Sequence, residues 1–388
     1  MALSRTETGR TETGRTESDG RPVLLVLRGL GLGDLLTAVP ALRALRRAHP
    51  EHRIVLAAPA HLGGLLPLIG AVDDLIDVSG PGPVPMGPVP MRPVPMGKPM
   101  GTASLGTAPS STVPYGSAGF VDIAVNLHGS GPQSVVALRR ARRLLTHAHP
   151  AVPGVAGPPW RPEIHEVRRW CEMLEWYGIA ADPGDLALRD PGPGRWAGAE
   201  VVIHPGAGYA AKRWPPDRFA EVAAELSRLG HHVVITGGAT EIALARQVAV
   251  LAGLPAAHVL AGRTDLRELA ALTAGAKLVI CGDTGMSHLA TAVGTPSVVI
   301  YGPVSPALWG PPSGHPHVTL WAGRTGDPYG DRPSEGLLEI GVGEVLDAAH
   351  ELLRTRSVDR REGRQPADSA REAVSTISAS LPPCAPRQ

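Results

Sequence analysis

Apolar and polar positions follow two periods along this chain, and they alternate. PVLLVLRG (22–29) is a continuous apolar run, the pattern of a strand buried on both faces. After the glycine loop GLGLGD (29–34), Leu35, Val39, Leu42 and Leu45 fall at helical spacing. Pro40, inside that pattern, either kinks a helix or starts one. RIVLAAP, DLIDV and FVDIAVNLHG read as further strands, QSVVALRRA and HEVRRWCEMLEWYG as helices, the last ended by Gly178. A second block repeats the scheme. VVIHPGAG, HHVVITGG, the short HVLAG, KLVICGD and PSVVIYGP are strands, and a helix comes after each of the first four. A last helix, VGEVLDAAHELLRTR, closes the series. Strands alternating with helices predict an α/β protein with two parallel sheets, each covered on both faces. Ligands of such sheets bind at the carboxyl ends of the strands.

Composition changes this picture in one respect. The 388 residues include 47 glycines and 40 prolines, and two pentad repeats hold many of them outside the periodic blocks. RTETG repeats near the start offer nothing to bury, and GPVPM repeats favour extended conformations. The expected organisation is a disordered tail at 1–20 and a first Rossmann-like domain at 21–191, with a proline-rich surface insertion at 79–118. A linker at 192–199 leads to a second Rossmann-like domain at 200–333, a final helix within 334–356 and a disordered tail at 357–388.

Charge and cysteine narrow the classes. A net charge of +1 argues against nucleic acid as a partner. Three cysteines without paired spacing point to a reduced, cytoplasmic protein and no cysteine zinc site. The polar N-terminus predicts no signal peptide, and no run is apolar enough for a membrane span. Membrane association, if any, is expected to be peripheral, at the inner face. Only three lysines stand among 37 basic residues, so each invites inspection.

Four loops carry candidate chemistry. Gly29-Leu30-Gly31-Leu32-Gly33-Asp34 fails the dinucleotide fingerprint, because neither glycine frame finds its third glycine and the second strand ends without an acid. What remains is a carboxylate at a helix start, Asp34, which either caps that helix or faces the cleft as a general base. HPGAGYAAKRWPP brings Gly206, Gly208, Lys212 and Arg213 to a strand end, where cations either sit in solvent or meet a phosphate. CGDTGMSHLA sends Asp283 and Thr284 into a helix start, with Gly285 permitting close approach and His288 one turn on. ITGGATE places Glu241 where it accepts ribose hydroxyls or merely begins a helix. Three strand ends of the second block and one carboxylate of the first thus face a ligand of diphosphate size, which needs no metal.

LGLGDLLTAVPALRALR, HPGAGYAAKRWP and GDTGMSHLATAVGTPSVVIYGP together resemble glycosyltransferase family 9, the ADP-heptose:lipopolysaccharide heptosyltransferases. The resemblance implies a GT-B fold with the acceptor in the first domain and the nucleotide sugar mainly in the second. It implies inverting, metal-independent transfer without a cofactor, Asp34 as the base and Lys212 steadying the leaving diphosphate. Gly206, Arg213, Asp283, Thr284, Gly285 and His288 would bind the donor, with Glu241 contacting its nucleoside. It also implies that the final helix packs back onto the first domain. The residues before Gly33 depart from the lipopolysaccharide enzymes, leaving a glycan, a lipid-linked sugar or a metabolite as acceptor. Two other readings stand beside transfer: a nucleotide-sugar epimerase on the same scaffold, and a silent nucleotide-sugar-binding protein.

Overall fold

The computed structural model describes residues 21–84, 121–196, 198–312 and 316–362, the side chains of 356–362 apart, with the backbone of short strands at 89–90, 92–93 and 112–113. The expectations for residues 1–20, for most of the proline-rich stretch and for 363–388 lie outside the described residues.

The first domain comprises β1 (Val23–Leu27), α1 (Leu32–Thr37), α2 (Val39–Ala48), β2 (Arg53–Ala58), α3 (Leu66–Ile69) and β3 (Asp74–Asp77). The two-residue strands β4 (Val89–Pro90), β5 (Arg92–Pro93) and β6 (Thr112–Val113) come next. Then come β7 (Ile123–Asn126), α4 (Pro132–Leu138), β8 (Arg143–Leu145) and α5 (Glu166–Trp176). The sheet order is β5-β3-β2-β1-β7-β8, parallel except for β5. The proline-rich stretch therefore gives this sheet an edge strand. Pro40 turns out to start a helix, lying in the first turn of α2, where a missing N–H costs nothing.

The second domain comprises β9 (Val201–His204), α6 (Pro216–Arg228), β10 (Val233–Ile235), α7 (Ile242–Leu251), α8 (Leu266–Gly275), β11 (Leu278–Gly282) and α9 (Gly285–Ala292). It continues through β12 (Ser297–Tyr301), α10 (Pro306–Trp309), β13 (His317–Trp321), α11 (Glu335–Glu339) and α12 (Val342–Glu362). Its sheet is parallel, in the order β10-β9-β11-β12-β13. The short strand expected at HVLAG is reduced to one bridge, Ile235 to Val259, where a 3-10 turn at Ala256–His258 takes its first residue. Both sheets reverse direction of winding beside their first strand, between β1 and β7 and between β9 and β11, the crevices where such folds take ligands.

One core spans both domains. Leu24, Val26 and Leu36 share a buried cluster with Val279, Cys281, Met286 and Leu289. α12 corrects the sequence expectation. It packs on its own domain, where Val345, Ala348 and Ala349 bury with Leu226, Ile280 and Ile300. The face of β11–β13 away from the first domain needs a cover, and α12 supplies it. Trp214 and Arg218 secure the approach by donating to the Ile340 carbonyl at 3.0 and 2.8 Å. The helix also continues to Glu362, past the 356 boundary. Among the described residues no helix is long and apolar enough to cross a membrane.

Candidate active site

Each candidate side chain stands at the carboxyl end of a parallel strand, where a loop turns into a helix. Asp34 lies in the first turn of α1. One carboxylate oxygen accepts the Gly31 N–H at 3.3 Å, and the other accepts from Arg28 at 3.3 Å. Asp34 thus caps α1 while its side chain keeps 27% of its exposure. Gly29 serves a neighbour: a methyl there would run into the Gly80 carbonyl, and Gly80 N–H donates to the Gly29 carbonyl at 2.7 Å.

Across the cleft, Thr284 caps α9, accepting from Met286 N–H at 3.2 Å. The starts of α1 and α9 abut. A methyl at Gly33 would sit 2.8 Å from the His288 ring, and one at Gly285 would sit 2.8 Å from Leu32 Cβ and 3.1 Å from Gly33 N. Glycine at both positions lets the two helix starts meet. Burial lowers the His288 pKa, as do His165 and Lys212, against the opposing charges of Asp283 and Asp34; the ring is neutral at pH 7. Trp309 lies edge-on to the ring, with centroids 6.0 Å apart.

Lys212 donates to the buried Asp283 carboxylate at 2.7 Å, so the rare lysine and the D-T-G aspartate form one unit. Lys212→Met is expected to cost about 3–5 kcal/mol of stability, because it strands a buried carboxylate. Lys212→Met/Asp283→Asn should recover most of that loss in thermal melts; a double variant that melts no higher than Lys212→Met would show that the stranded carboxylate is not the cause.

Two candidates sit apart from this group. Arg213 is exposed, its Nε donating to the Ala207 carbonyl at 2.9 Å. Glu241 accepts the Gly238 N–H at 2.8 Å and lies 3.9 Å from His204. Gly206 has no room for a Cβ because the Glu241 carboxylate occupies that space, so its close approach is to Glu241 itself. Gly208, by contrast, faces open space.

Three site residues escaped the sequence reading. Arg28, at the end of β1, is buried against Asp34 and Glu166. His128, beyond β7, has a buried Nδ1 without a hydrogen-bond partner, and burial and Arg28 lower its pKa. His165 caps α5 through Nδ1, which accepts from Val167 N–H at 3.3 Å, so the ring proton is on Nε2 and is donated to Gly310 of the second domain at 2.9 Å. A charge ending an apolar strand was the one available signal for Arg28. Among the described residues no group of three or more His, Cys, Asp or Glu is placed to hold a metal.

Two facing parallel-sheet domains with glycine turns at the strand ends define the GT-B fold. Solved structures share it: a glycosyl transferase family 9 protein from Veillonella parvula (TM-score 0.63, 22% identity, covering 88% of this chain and 99% of that one). The ADP-heptose lipopolysaccharide heptosyltransferase II of E. coli aligns equally well (TM-score 0.63, 20% identity, 86% and 99%). The family model for "Glycosyltransferase family 9 (heptosyltransferase)" matches residues 191–328. Lipopolysaccharide heptosyltransferase 2 of Salmonella typhimurium is 33% identical over 165 residues, 40% of this chain and 47% of that protein. The chain thus spans about half the length of the curated relatives it matches.

Proposed function

We propose that this chain is an inverting, metal-independent glycosyltransferase that moves a heptose from ADP-heptose to a hydroxyl of an envelope glycan, a lipid-linked sugar or a metabolite. The observation that carries the reading is the meeting of α1 and α9, which sets Asp34 of one domain beside His288 and the Lys212–Asp283 unit of the other. Asp34 accepts the acceptor's hydroxyl proton. The new C–O bond forms at the anomeric carbon on the face opposite the diphosphate, and the bond to the phosphate oxygen breaks with its electron pair leaving on ADP. Lys212, together with the positive end of α9, balances that charge without a metal ion. The names of the relatives and of the solved structures supply the sugar and the nucleotide, and Glu241, after β10, is the group assigned to the donor's ribose. The work fits the cytoplasmic face of the membrane.

Calorimetry with ADP, GDP, UDP and dTDP, then ADP release from ADP-heptose over heptose-deficient lipopolysaccharide and other glycan acceptors, tests the reading. Selective ADP binding and acceptor-dependent release are expected, unchanged by EDTA. Conversion of the donor to an isomer without ADP release would favour the epimerase, and binding without release the silent binder.

His288 gives a pH test. Its lowered pKa leaves it neutral in the free protein, and a diphosphate beside it raises that pKa. ADP binding should therefore take up a fraction of a proton near neutral pH, and affinity should rise as pH falls through that window. Calorimetry in buffers of different ionisation enthalpy measures the uptake, and His288→Gln should erase it. No uptake in the wild type would place His288 away from the phosphates.

A further inference from the structure

Arg28 ends a strand in which Leu24–Leu27 are fully buried, and it is buried itself, at 1% exposure. A guanidinium has five N–H groups, and this one reaches five oxygens on four residues, three of them sharing the two N–H groups of Nη2. Nε donates to the Asp34 carbonyl at 2.9 Å and Nη1 to the Leu127 carbonyl. Nη2 faces Asp34 Oδ1 at 3.3 Å, Thr37 Oγ1 at 3.2 Å and Glu166 Oε1 at 2.9 Å. The plane also lies 4.9 Å from the Trp170 ring.

Glu166 is held as firmly. Its Oε1 also accepts from Trp170 Nε1 at 3.0 Å, and Oε2 accepts from Arg169 Nε at 3.0 Å. Burial pushes the Glu166 pKa up, but the two arginines outweigh it and the net shift is downward, so this carboxylate is ionised at neutral pH. A buried ion pair contributes little net stability compared with apolar packing. Such a pair does fix direction, because each partner is bonded on more than one side. Among Arg28's partners, Asp34 keeps the most open carboxylate, with 27% exposure against 9% for Glu166.

We propose that Arg28 and Glu166 form a buried positioning pair that aims the Asp34 carboxylate at the acceptor hydroxyl, which makes the start of α5 part of the transfer machinery. The inference rests on Asp34 being the base. Arg28 sets the rotation of the carboxylate, and Glu166 sets the place of Arg28. The 3.3 Å contacts to Asp34 are long and shorten when an acceptor fills the cleft.

The test measures ADP release from ADP-heptose, with the best acceptor of the panel and with water in single turnover, beside ADP affinity by calorimetry. Glu166→Gln keeps the shape and removes the charge. It should lower kcat about tenfold and Arg28→Met about a hundredfold, with donor KM and ADP affinity within about twofold of wild type. Arg28→Lys should regain part of the loss, and Glu166→Gln added to Asp34→Asn should cost nothing more. Wild-type turnover in Glu166→Gln and Arg28→Met, with Asp34→Asn inactive, overturns the positioning pair alone. So does a loss of kcat that tracks ADP affinity or melting temperature. Wild-type turnover in Asp34→Asn overturns the base and the pair together. If Arg28→Met does not fold, Glu166→Gln carries the decision.

Discussion

Asp34→Ala should lower transfer by about a thousandfold, within the range for loss of a general base, while ADP binds as before. The division of labour between the domains is the reason. The diphosphate candidates Lys212, Thr284 and His288 all lie in the second domain, whereas Asp34 comes from the first, with Arg28 and Glu166 behind it. The variant also gives up a cap on α1, a loss of about 1 kcal/mol, so its melting temperature should fall by only a few degrees. Turnover near the wild-type rate would sink the base assignment. Loss of ADP binding together with turnover would mean that Asp34 shapes the closed cleft rather than taking a proton.

The second large effect is expected from Gly285→Ala. The added methyl would meet Leu32 Cβ at 2.8 Å and the Gly33 backbone nitrogen at 3.1 Å, atoms that cannot swing aside. Overpacking of this kind costs about 1–3 kcal/mol. The greater cost falls on catalysis, because the two helix starts must part and Asp34 moves with α1. A displacement near 1 Å lowers turnover by about a hundredfold. Steady-state kinetics should show kcat falling far more than ADP affinity. Unchanged kcat would show that the contact between α1 and α9 is not needed for transfer.

The candidate site was legible where it lay in short continuous motifs. Glycine turns after apolar runs marked the strand ends, and the scarcity of lysine singled out Lys212. Pairings across the chain were not legible. Lys212 and Asp283 are 71 positions apart, and Arg28 and Glu166 are 138 apart, and no local pattern joins them. Arg28 is hidden because an apolar run shows its period more plainly than the charge at its end. β8 and β13 escape the pattern because Arg143–Leu145 is short and His317–Trp321 is only partly buried, so neither shows the continuous apolar signature. The packing expected of α12 rested on the family likeness rather than on its own residues, and its apolar face found a nearer sheet.

That placement of α12 bears on how substrates come and go. Among the described residues the polypeptide passes between the domains once, along the segment after α5. Here Asp185 holds Arg43 at 2.6 Å and Leu188 N–H reaches the Ala292 carbonyl at 2.7 Å. Among the described residues there is no second tether, so a rotation about this one segment would open the cleft. It breaks the His165–Gly310 bond and parts two glycine-lined helix starts, and it unwinds no helix. In such a movement the last helix would travel with the second domain as a single rigid load.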